Sequence, residues 1–586
     1  MSATPGLLKR LHDQILSERD AQRRHLLSQW SLPLSERVAR GFAIDGLHLH
    51  SLQPGETFTL ACQGNDSRFG KGDTLVLHRG DPQDPGSLQC SLEYDGGTLL
   101  ELSLLDAALP AKGDFASSLF PLQTNPEGWI ADESQRDRTP FYLEALQACA
   151  NTERGRQRVL PLLTGGLTPR VDYSAYQRAW KAAAAAGLDE KQAEALAQCY
   201  ATDLAYLVQG PPGTGKTCVL AQLVRLLAAD GQRVLVIAPN HRTVNHALNK
   251  IAQIDPALPV CKIGPARRGW NLFPPNYESF SDSGFGDLPG GYIVGATPFA
   301  TLSQRLANTE FDVVVFEDAS QISLPQAIIG MLAGSRYIFI GDERLSLHGS
   351  IQPHSDDVSS SILGFLKGRG FTSSLDTTYR MNDVLAEWSS RTFYTGALQP
   401  APGVAERRLK LRQPNPAWDL ILDPDHPAVF VDLGHRNTTV RSHVEAEAIC
   451  ELVLALLSAG VSPGEIGVVV PFQAQGRTIR DLLSAHLPEQ EALQALVVDI
   501  VERLQGQERE VLLISLTTSS PAFTSQLVDF FFLPEKLKLA VTRPRTKLIV
   551  VGSSYILRAV PVDAKMATWI DLLHDLLAYC SLRNLH

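Results

Sequence analysis

Hydrophobic and polar positions follow three different rhythms along this 586-residue chain. Within residues 1–40, leucines and isoleucine recur at helical spacing among many charges, which predicts an amphipathic stalk helix: Leu7, Leu8, Leu11, Ile15 and Leu16. Residues 41–110 instead alternate in short runs between glycine- and proline-rich turns. That pattern predicts a small antiparallel barrel or sandwich, which we interpret as a β-barrel accessory domain.

From residue 187 onward, buried strands alternate with helices, the sign of parallel α/β sheets. Residues 111–186 form the connection to this region, and we expect a helical linker or stalk there. A Ser- and Gly-rich stretch suggests a boundary near residue 371. The chain therefore divides into an α/β unit over residues 187–371 and another over 372–586. The predicted strands of the two units are Leu204–Val208, Gln232–Ala238, Gly291–Gly295, Phe311–Phe316, Tyr337–Gly341, Ala428–Asp432, Ile466–Val470, Val511–Ser515 and Leu548–Gly552.

The composition is ordinary for a soluble globular protein. The 53 basic and 63 acidic residues give a net charge of −10, which argues against a surface coated with positive charge but leaves room for a local basic channel. The eight scattered cysteines include no C-x-x-C pair, which opposes a zinc or iron–sulfur site and favours a reducing, cytoplasmic setting. The N-terminus leads into a charged helix, and no apolar run approaches the ~18 residues of a membrane span.

One segment carries recognisable chemistry. A phosphate loop of the form G-x-x-x-x-G-K-[ST] lies between a predicted strand and a predicted helix: Gly210, Pro211, Pro212, Gly213, Thr214, Gly215, Lys216 and Thr217. Backbone N–H groups of such a loop surround a triphosphate, the lysine reaches the β/γ-phosphates, and the threonine hydroxyl binds Mg²⁺. The sequence therefore predicts an ATP and Mg²⁺ site, with Thr217 as a metal ligand.

Further segments follow in a fixed order. They are Leu188–Gln192, Ala238–Asn245, Gly295–Thr297, Phe316–Gln321, Gly341–Ser346, Leu375–Met381, Ile466–Phe472, Leu504–Glu508 and Ala540–Arg545. In this order they resemble the motifs of superfamily 1B helicases of the up-frameshift-like branch, across roughly residues 187–556. The resemblance implies two RecA-like domains, ATP hydrolysis between them, and movement on single-stranded DNA or RNA, 5′-to-3′ in that branch.

The resemblance also assigns roles to individual residues. Gln192 would read the adenine edge, although Asp189 and Gln192 also fit a helix capping box. Tyr379 would stack on the base, Glu508 would contact the ribose or couple the lobes, and Lys216, Arg380 and Arg543 would act on the phosphates. Backbone contacts to nucleic acid would come from Pro239, Asn240, Thr297 and Pro471, with helix capping as the alternative reading of the Asn and Thr positions.

Two departures from the family pattern concern hydrolysis. The family has Asp-Glu where this chain has Glu317-Asp318, so Glu317 takes the metal-binding position and Asp318 the water-orienting one. Since a misplacement of about 1 Å can lower a rate ~100-fold, we expect ATP·Mg²⁺ binding but leave fast hydrolysis open. Leu345 replaces a glutamine that would sense the γ-phosphate and help couple the lobes, and leucine makes no such hydrogen bond.

Two functions fit these motifs. The first is an ATP-dependent helicase or translocase on single-stranded nucleic acid. The second is an ATP-gated nucleic-acid clamp or scaffold with weak hydrolysis, read by a protein partner through the barrel. We expect a cytoplasmic monomer that does not enter membranes. The sequence does not distinguish DNA from RNA as the substrate, because phosphate contacts and stacking serve both.

Overall fold

The structure is a computed structural model that describes residues 4–53, 57–105, 119–307, 309–343, 360–413, 418–487, 490–504, 506–526, 533–561 and 563–584. The chain begins with α1 (Thr4–Trp30) and α2 (Leu34–Ala39). Leu7, Leu11 and Ile15 of α1 are buried in the same core as the first α/β unit, as their helical spacing predicts. The N-terminal helix is therefore a stalk that packs on that unit.

The next strands close into a barrel. Its strands are β1 (Ala43–Gln53), β2 (Thr57–Ala61), β3 (Thr74–His78), β4 (Leu88–Asp95), β5 (Leu99–Leu104) and β6 (Trp129–Glu133). They pair antiparallel in the order β1-β2-β5-β4-β3-β6, and β6 returns to β1 to close the circle. A short helix, α3 (Phe120–Thr124), precedes β6. The side chains of Phe58, Leu75, Leu92 and Leu102 are among those that fill the interior.

Helices connect the barrel to the first α/β unit. They are α4 (Thr139–Asn151), a π-helix (Gly155–Val159), α5 (Leu160–Thr164), α6 (Tyr173–Ala185) and α7 (Glu190–Ala201). The first unit, called lobe 1 below, contains β7 (Ala205–Gln209), α8 (Lys216–Ala229), β8 (Arg233–Ile237), α9 (His241–Ile254), β9 (Val260–Ile263), β10 (Asn276–Tyr277), β11 (Tyr292–Ala296), β12 (Phe311–Phe316), α10 (Leu324–Met331), β13 (Gly334–Gly341), α11 (Ile362–Leu366) and β14 (Thr372–Ser374). Its parallel sheet has the order β10-β9-β11-β8-β12-β13-β7-β14.

The second unit, lobe 2, begins with the small sheet formed by β15 (Thr377–Thr378) and β16 (Gln399–Pro400). Its remaining elements are α12 (Asp383–Phe393), α13 (Asp419–Leu422), β17 (Ala428–Asp432), α14 (His443–Ser458), β18 (Ile466–Val469), α15 (Gln473–His486), α16 (Gln490–Ala495), β19 (Val497–Asp499), β20 (Arg509–Ser515), α17 (Pro521–Gln526), α18 (Pro534–Val541), β21 (Pro544–Gly552), α19 (Ala564–Tyr579) and β22 (Ser581–Asn584). The main sheet is parallel, in the order β19-β18-β20-β21-β17-β22. Short 3₁₀ turns occupy Ala266–Arg268, Phe280–Ser283, Phe285–Asp287, Pro298–Leu302, Ala319–Gln321, Pro463–Glu465, Val501–Leu504 and Ser554–Arg558.

The predicted fold class is confirmed: two parallel α/β lobes, a barrel and a helical stalk. Two predicted boundaries are wrong. The barrel does not end at residue 110, because β6 lies at Trp129–Glu133, inside the segment assigned to the helical linker. Lobe 1 does not end at residue 371, because Thr372–Ser374 adds β14 to its sheet beside β7. Both strands join sheets whose other members lie far away in the chain, so local pattern gave no sign of them.

A buried arginine joins the barrel to lobe 2. Arg477 on α15 pairs with Asp95 of the barrel at 2.8 Å, and both side chains are less than a tenth exposed. The same guanidinium donates to the Asn65 carbonyl at 2.7 Å. On the other side, Arg268 of lobe 1 pairs with Glu93 at 3.4 Å. The barrel therefore contacts both lobes. No helix in the part of the chain described above is long and apolar enough to cross a membrane.

Candidate ATP site between the lobes

The phosphate loop turns at the carboxyl end of β7 and leads into α8. Gly213 and Gly215 adopt left-handed φ values of +81° and +78°, which side chains rarely adopt. A Cβ on Gly213 would also meet Thr378 Oγ1 at 2.5 Å and the Arg380 Cβ at 2.7 Å. The glycine therefore allows lobe 2 to approach the loop backbone directly. The Lys216 ammonium is held inside the loop, donating to the Gly210 carbonyl at 2.7 Å.

A carboxylate faces the loop threonine. The Thr217 hydroxyl donates to Glu317 Oε1 at 2.6 Å. Glu317 therefore reaches the metal-binding position beside the loop threonine, although its side chain is one methylene longer than the aspartate of the family. Among the described residues, no group hydrogen-bonds the buried Glu317 Oε2. Burial, and after it the charge of Asp318, raises the pKa of Glu317 from 4.5 to about 7. A hydroxyl beside a buried carboxylate with an unused oxygen fits a hard cation such as Mg²⁺.

Asp318 differs from Glu317 in both backbone and exposure. It adopts φ +52°, in the left-handed region that few non-glycine residues occupy, and its side chain is half-buried. Such backbone outliers are concentrated at functional sites. Burial lowers the pKa of Lys216, while the charges of Asp342, Asp318 and Glu317 oppose that shift, in decreasing order. The loop lysine is thus surrounded by carboxylates from the ends of β12 and β13.

Lobe 2 reaches the loop through Tyr379. Its backbone N–H donates to the Gly213 carbonyl at 2.8 Å, and its hydroxyl donates to Asp189 Oδ2 at 2.6 Å. Tyr379 is 39% exposed as a residue and lines the cleft described below, where a planar base could stack on it. Asp189 also caps α7, where Gln192 completes the capping box. The Gln192 amide donates in addition to the Thr214 carbonyl at 3.0 Å. The capping interpretation of Gln192 is therefore confirmed, and its adenine contact remains a prediction.

The two arginines of lobe 2 have different surroundings. Arg380 Nε donates to Glu508 Oε2 at 2.9 Å. Burial alone would raise the pKa of Glu508, but the Arg380 and Arg545 charges outweigh it and the pKa is lowered. Arg543 is only 4% exposed and donates to the Leu539 carbonyl at 3.0 Å. Burial, and then the Arg380 charge, lowers the pKa of Arg543 to about 9.

These groups meet at one cleft of about 470 Å³. From lobe 1 it is lined by the phosphate loop with both carboxylates, and from lobe 2 by the tyrosine, the arginines and the acidic residue: Pro212, Gly213, Gly215, Lys216, Thr217, Glu317, Asp318, Tyr379, Arg380, Glu508 and Arg543. Gly210, Pro211, Thr214 and Gln192 lie outside this lining and shape the loop from behind. The cleft has the size of a small-molecule site and is rich in phosphate-binding groups.

Comparisons with known proteins agree with this geometry. A family model described as an AAA domain matches residues 187–279, and a second with that description matches residues 360–555. The DNA replication ATP-dependent helicase/nuclease DNA2 of Mus musculus is 26% identical over 417 residues, 64% of this chain and 38% of the relative. The Regulator of nonsense transcripts 1 homolog of Arabidopsis thaliana is 25% identical over 437 residues, 65% of this chain and 34% of the relative.

The chain is similar to superfamily 1 helicases of the up-frameshift-like branch. It spans little more than a third of the length of either of these relatives. Among solved structures, the Arterivirus nonstructural protein 10 helicase matches with 14% identity and a TM-score of 0.37, over 92% of this chain and 82% of that one.

The predicted nucleic-acid contacts lie at carboxyl ends of strands. Pro239 and Asn240 follow β8, and Thr297 follows β11, the neighbouring strand of the same sheet. Asn240 is exposed, but its side chain accepts from the Thr243 N–H at 3.0 Å, so the capping alternative is confirmed for this residue. Pro471 follows β18 in lobe 2 and lines a cavity of about 370 Å³ against the barrel. Contact of these four residues with nucleic acid stays a prediction.

Several cleft residues, among them His246, Lys250 and Asp342, have no place among the sequence-predicted site residues. His246 and Lys250 lie four positions apart on α9, a spacing that puts both on one face, so the helix pattern could have found them. Asp342 also lines the cleft, and only its position after Gly341 in a family motif pointed to it. Leu345 lies outside the described residues, so its predicted effect on coupling stays a prediction.

Proposed function

We propose that this chain is an ATP-dependent helicase or translocase that acts on single-stranded nucleic acid. The observation that supports it most is the single cleft in which Lys216 and Glu317 of one lobe face Arg380 and Arg543 of the other. A site divided in this way makes nucleotide state and lobe arrangement depend on each other. That dependence is what a motor requires, since a ligand shifts a conformational equilibrium only through differential contacts with the two states.

Each residue would have a defined task. Lys216 would leave the loop carbonyls and neutralise the β/γ-phosphates. Thr217 and Glu317 would hold Mg²⁺, which supplies charge neutralisation at the phosphate oxygens when bound. Asp318 would orient the attacking water. Arg380 would stabilise charge on the transferring phosphoryl group, and so would Arg543, an arginine finger in cis, after exchanging its bond to Leu539 for one to phosphate.

The adenosine end would lie beside Tyr379, with its ring stacked on the base and Gln192 at the adenine edge. Glu508 would contact the ribose or transmit closure through its pair with Arg380. Nucleic acid would follow the carboxyl ends of the strands, where Asn240, Thr297 and Pro471 stand. Movement 5′-to-3′ is the expectation for this family branch.

The proposal is tested by ATP turnover with matched single-stranded DNA and RNA over a salt series. We expect several-fold stimulation by at least one of them, and loss of turnover in Lys216→Ala. Apparent affinity for the strand should fall steeply with salt despite the net charge of −10, because phosphate contacts release counterions. Absence of stimulation by either strand contradicts the proposal.

A second function has its own supporting observation. Arg543 is buried and bonded to the helix that precedes it, so this group starts away from the phosphates, and Asp318 carries its side of the reversed carboxylate pair on an unusual backbone. An ATP-gated clamp that closes on nucleic acid and hydrolyses slowly fits these facts. Strand displacement well above that of Lys216→Ala would exclude it.

The setting of the protein is part of the proposal. We infer a cytoplasmic monomer whose barrel offers a docking surface to a protein partner. The free thiols of all eight cysteines, seven of them buried, are consistent with a reducing compartment. Equilibrium sedimentation would test the monomer: a dimer at micromolar concentration would contradict it.

A further inference from the structure

A lysine is buried at the boundary between the lobes. Lys538 lies on α18 of lobe 2, and its ammonium is 3.3 Å from Asp342 Oδ2, at the end of β13 in lobe 1. The two side chains are only 1% and 5% exposed. The ammonium also lies 4.5 Å from the Tyr394 ring centroid and 5.6 Å from that of Phe393. Lysine is almost never buried to this extent without a partner.

The Asp342 carboxylate, which pairs with Lys538, is also contacted by a second group of lobe 2. The Tyr394 hydroxyl, also from lobe 2, donates to the same Asp342 Oδ2 at 2.5 Å. Asp342 also lines the ATP cleft together with Lys216, and it is the strongest of the charges that act on Lys216. Asp342 therefore stands between the phosphate-loop lysine of one lobe and a buried lysine of the other.

Another charged contact, between lobe 1 and the segment that leads into lobe 2, is of a different kind. The pair Lys191–Asp376 is 56% and 34% exposed at its side chains. Exposed pairs contribute little to an equilibrium, because water and salt screen them. A buried pair distinguishes the closed from the open arrangement of the lobes far more strongly, because separating it takes a desolvated charge away from its partner. If the lobes part, Lys538 loses the Asp342 carboxylate while its charge stays beside aromatic rings.

We propose that Lys538 is a positioning residue that holds Asp342 across the lobe boundary and so couples lobe closure to the phosphate-loop site. This inference rests on the proposed ATPase function. Closure brings Lys538 to Asp342, fixes the carboxylate beside Lys216, and thereby sets where the loop ammonium rests. Opening removes that restraint. Lys538 is not among the residues that line the ATP cleft, so its effect should appear in turnover rather than in nucleotide affinity.

The decisive variant is Lys538→Met, which keeps the length of the chain and removes the charge. Its matched control is Lys536→Met, two positions earlier on the same helix, where the lysine pairs with Glu502 at 2.8 Å in a more exposed place. Lys538→Arg restores a cation. For each variant we would measure the thermal unfolding midpoint, the Kd of a fluorescent ATP analogue, and kcat with and without single-stranded nucleic acid.

We expect Lys538→Met to lower kcat on the order of tenfold, a usual size for coupling between sites, while the Kd for nucleotide changes less than about threefold. Lys538→Arg should recover part of the loss, and Lys536→Met should match the parent protein. Tyr394→Phe removes the second donor to Asp342 and should produce a smaller fall in kcat, which keeps the test open if Lys538→Met does not fold. A proportional loss of stability, nucleotide binding and turnover in Lys538→Met and Tyr394→Phe overturns the inference, as does a kcat equal to that of Lys536→Met.

Failure of the proposed function would be visible separately. If the parent protein hydrolyses ATP without any response to nucleic acid, the motor proposal fails, whereas the basal kcat of Lys538→Met against Lys536→Met still decides the positioning role.

Discussion

Glu317 provides the sharpest quantitative prediction. Its pKa of about 7 means that the nucleotide-free site holds a proton on this carboxyl at mildly acidic pH, although a free glutamate ionises near 4.5. Mg²⁺ needs the ionised form, so binding of metal–nucleotide must displace the proton. With a pKa near 7, roughly nine tenths of the sites are ionised at pH 8 and roughly one tenth at pH 6. The affinity for Mg²⁺–nucleotide should therefore fall about tenfold from pH 8 to pH 6.

The assay is equilibrium binding of a fluorescent ATP analogue between pH 6 and pH 8. Measurements with EDTA should show a much flatter curve, because nucleotide without metal does not require the Glu317 charge. Glu317→Gln should keep only the pH dependence that comes from titration of the nucleotide itself, because the Glu317 proton is gone. An affinity for Mg²⁺–nucleotide that is as flat in the parent protein as in Glu317→Gln would refute the reasoning, since it would mean that Glu317 is ionised throughout or does not hold the metal.

Three further predictions concern other parts of the chain. Tyr379→Ala should raise the KM for ATP about 5- to 150-fold through lost stacking, whereas Tyr379→Phe should stay near the parent value; equal KM values in steady-state assays would contradict base stacking. Arg477→Met leaves the buried carboxylate without its partner, which should destabilise the folded state by about 3–5 kcal/mol and strongly accelerate hydrogen exchange in the barrel. Arg441→Ala, at an exposed pair, should change the stability by less than about 1 kcal/mol. Similar exchange in both variants would show that the buried pair does not anchor the barrel. The double variant Glu317→Asp with Asp318→Glu, which restores the family's order of the two carboxylates, should lower ATP turnover, because Glu317 already reaches Thr217 at 2.6 Å and a shorter arm would withdraw from it; higher turnover would show that the natural order is the impaired one.

Much of the fold follows from local pattern. The apolar runs Phe311–Phe316 and Ala428–Asp432 predict strands with the bounds that the structure has, because strands buried on both faces are nearly continuous in hydrophobicity. β6 and β14 were not predictable in this way. β6 belongs to the barrel only because it closes the circle against β1 and β3, and β14 is the short polar segment Thr372–Ser374.

The candidate site likewise contains residues that local motifs predict and residues that only the packing of the lobes brings in. The phosphate loop and the arginines of lobe 2 were predictable, because each lies in a motif with fixed spacing. Lys538 was not, since the sequence shows two lysines two positions apart on one helix and gives no sign of which is buried. Only the packing of the lobes separates Lys538, at 1% side-chain exposure, from Lys536, at 22%. The backbone of Asp318 is another tertiary property that residue order does not reveal.

ATP-driven movement along a single strand is the decisive test of the proposed motor activity. Streptavidin bound to a biotin at either end of a strand is displaced only by a motor that travels toward that end. We expect displacement from the 3′ end of at least one of DNA and RNA, dependent on ATP and abolished in Lys216→Ala. ATP turnover without displacement from either end, at protein concentrations that saturate the strand, would contradict it.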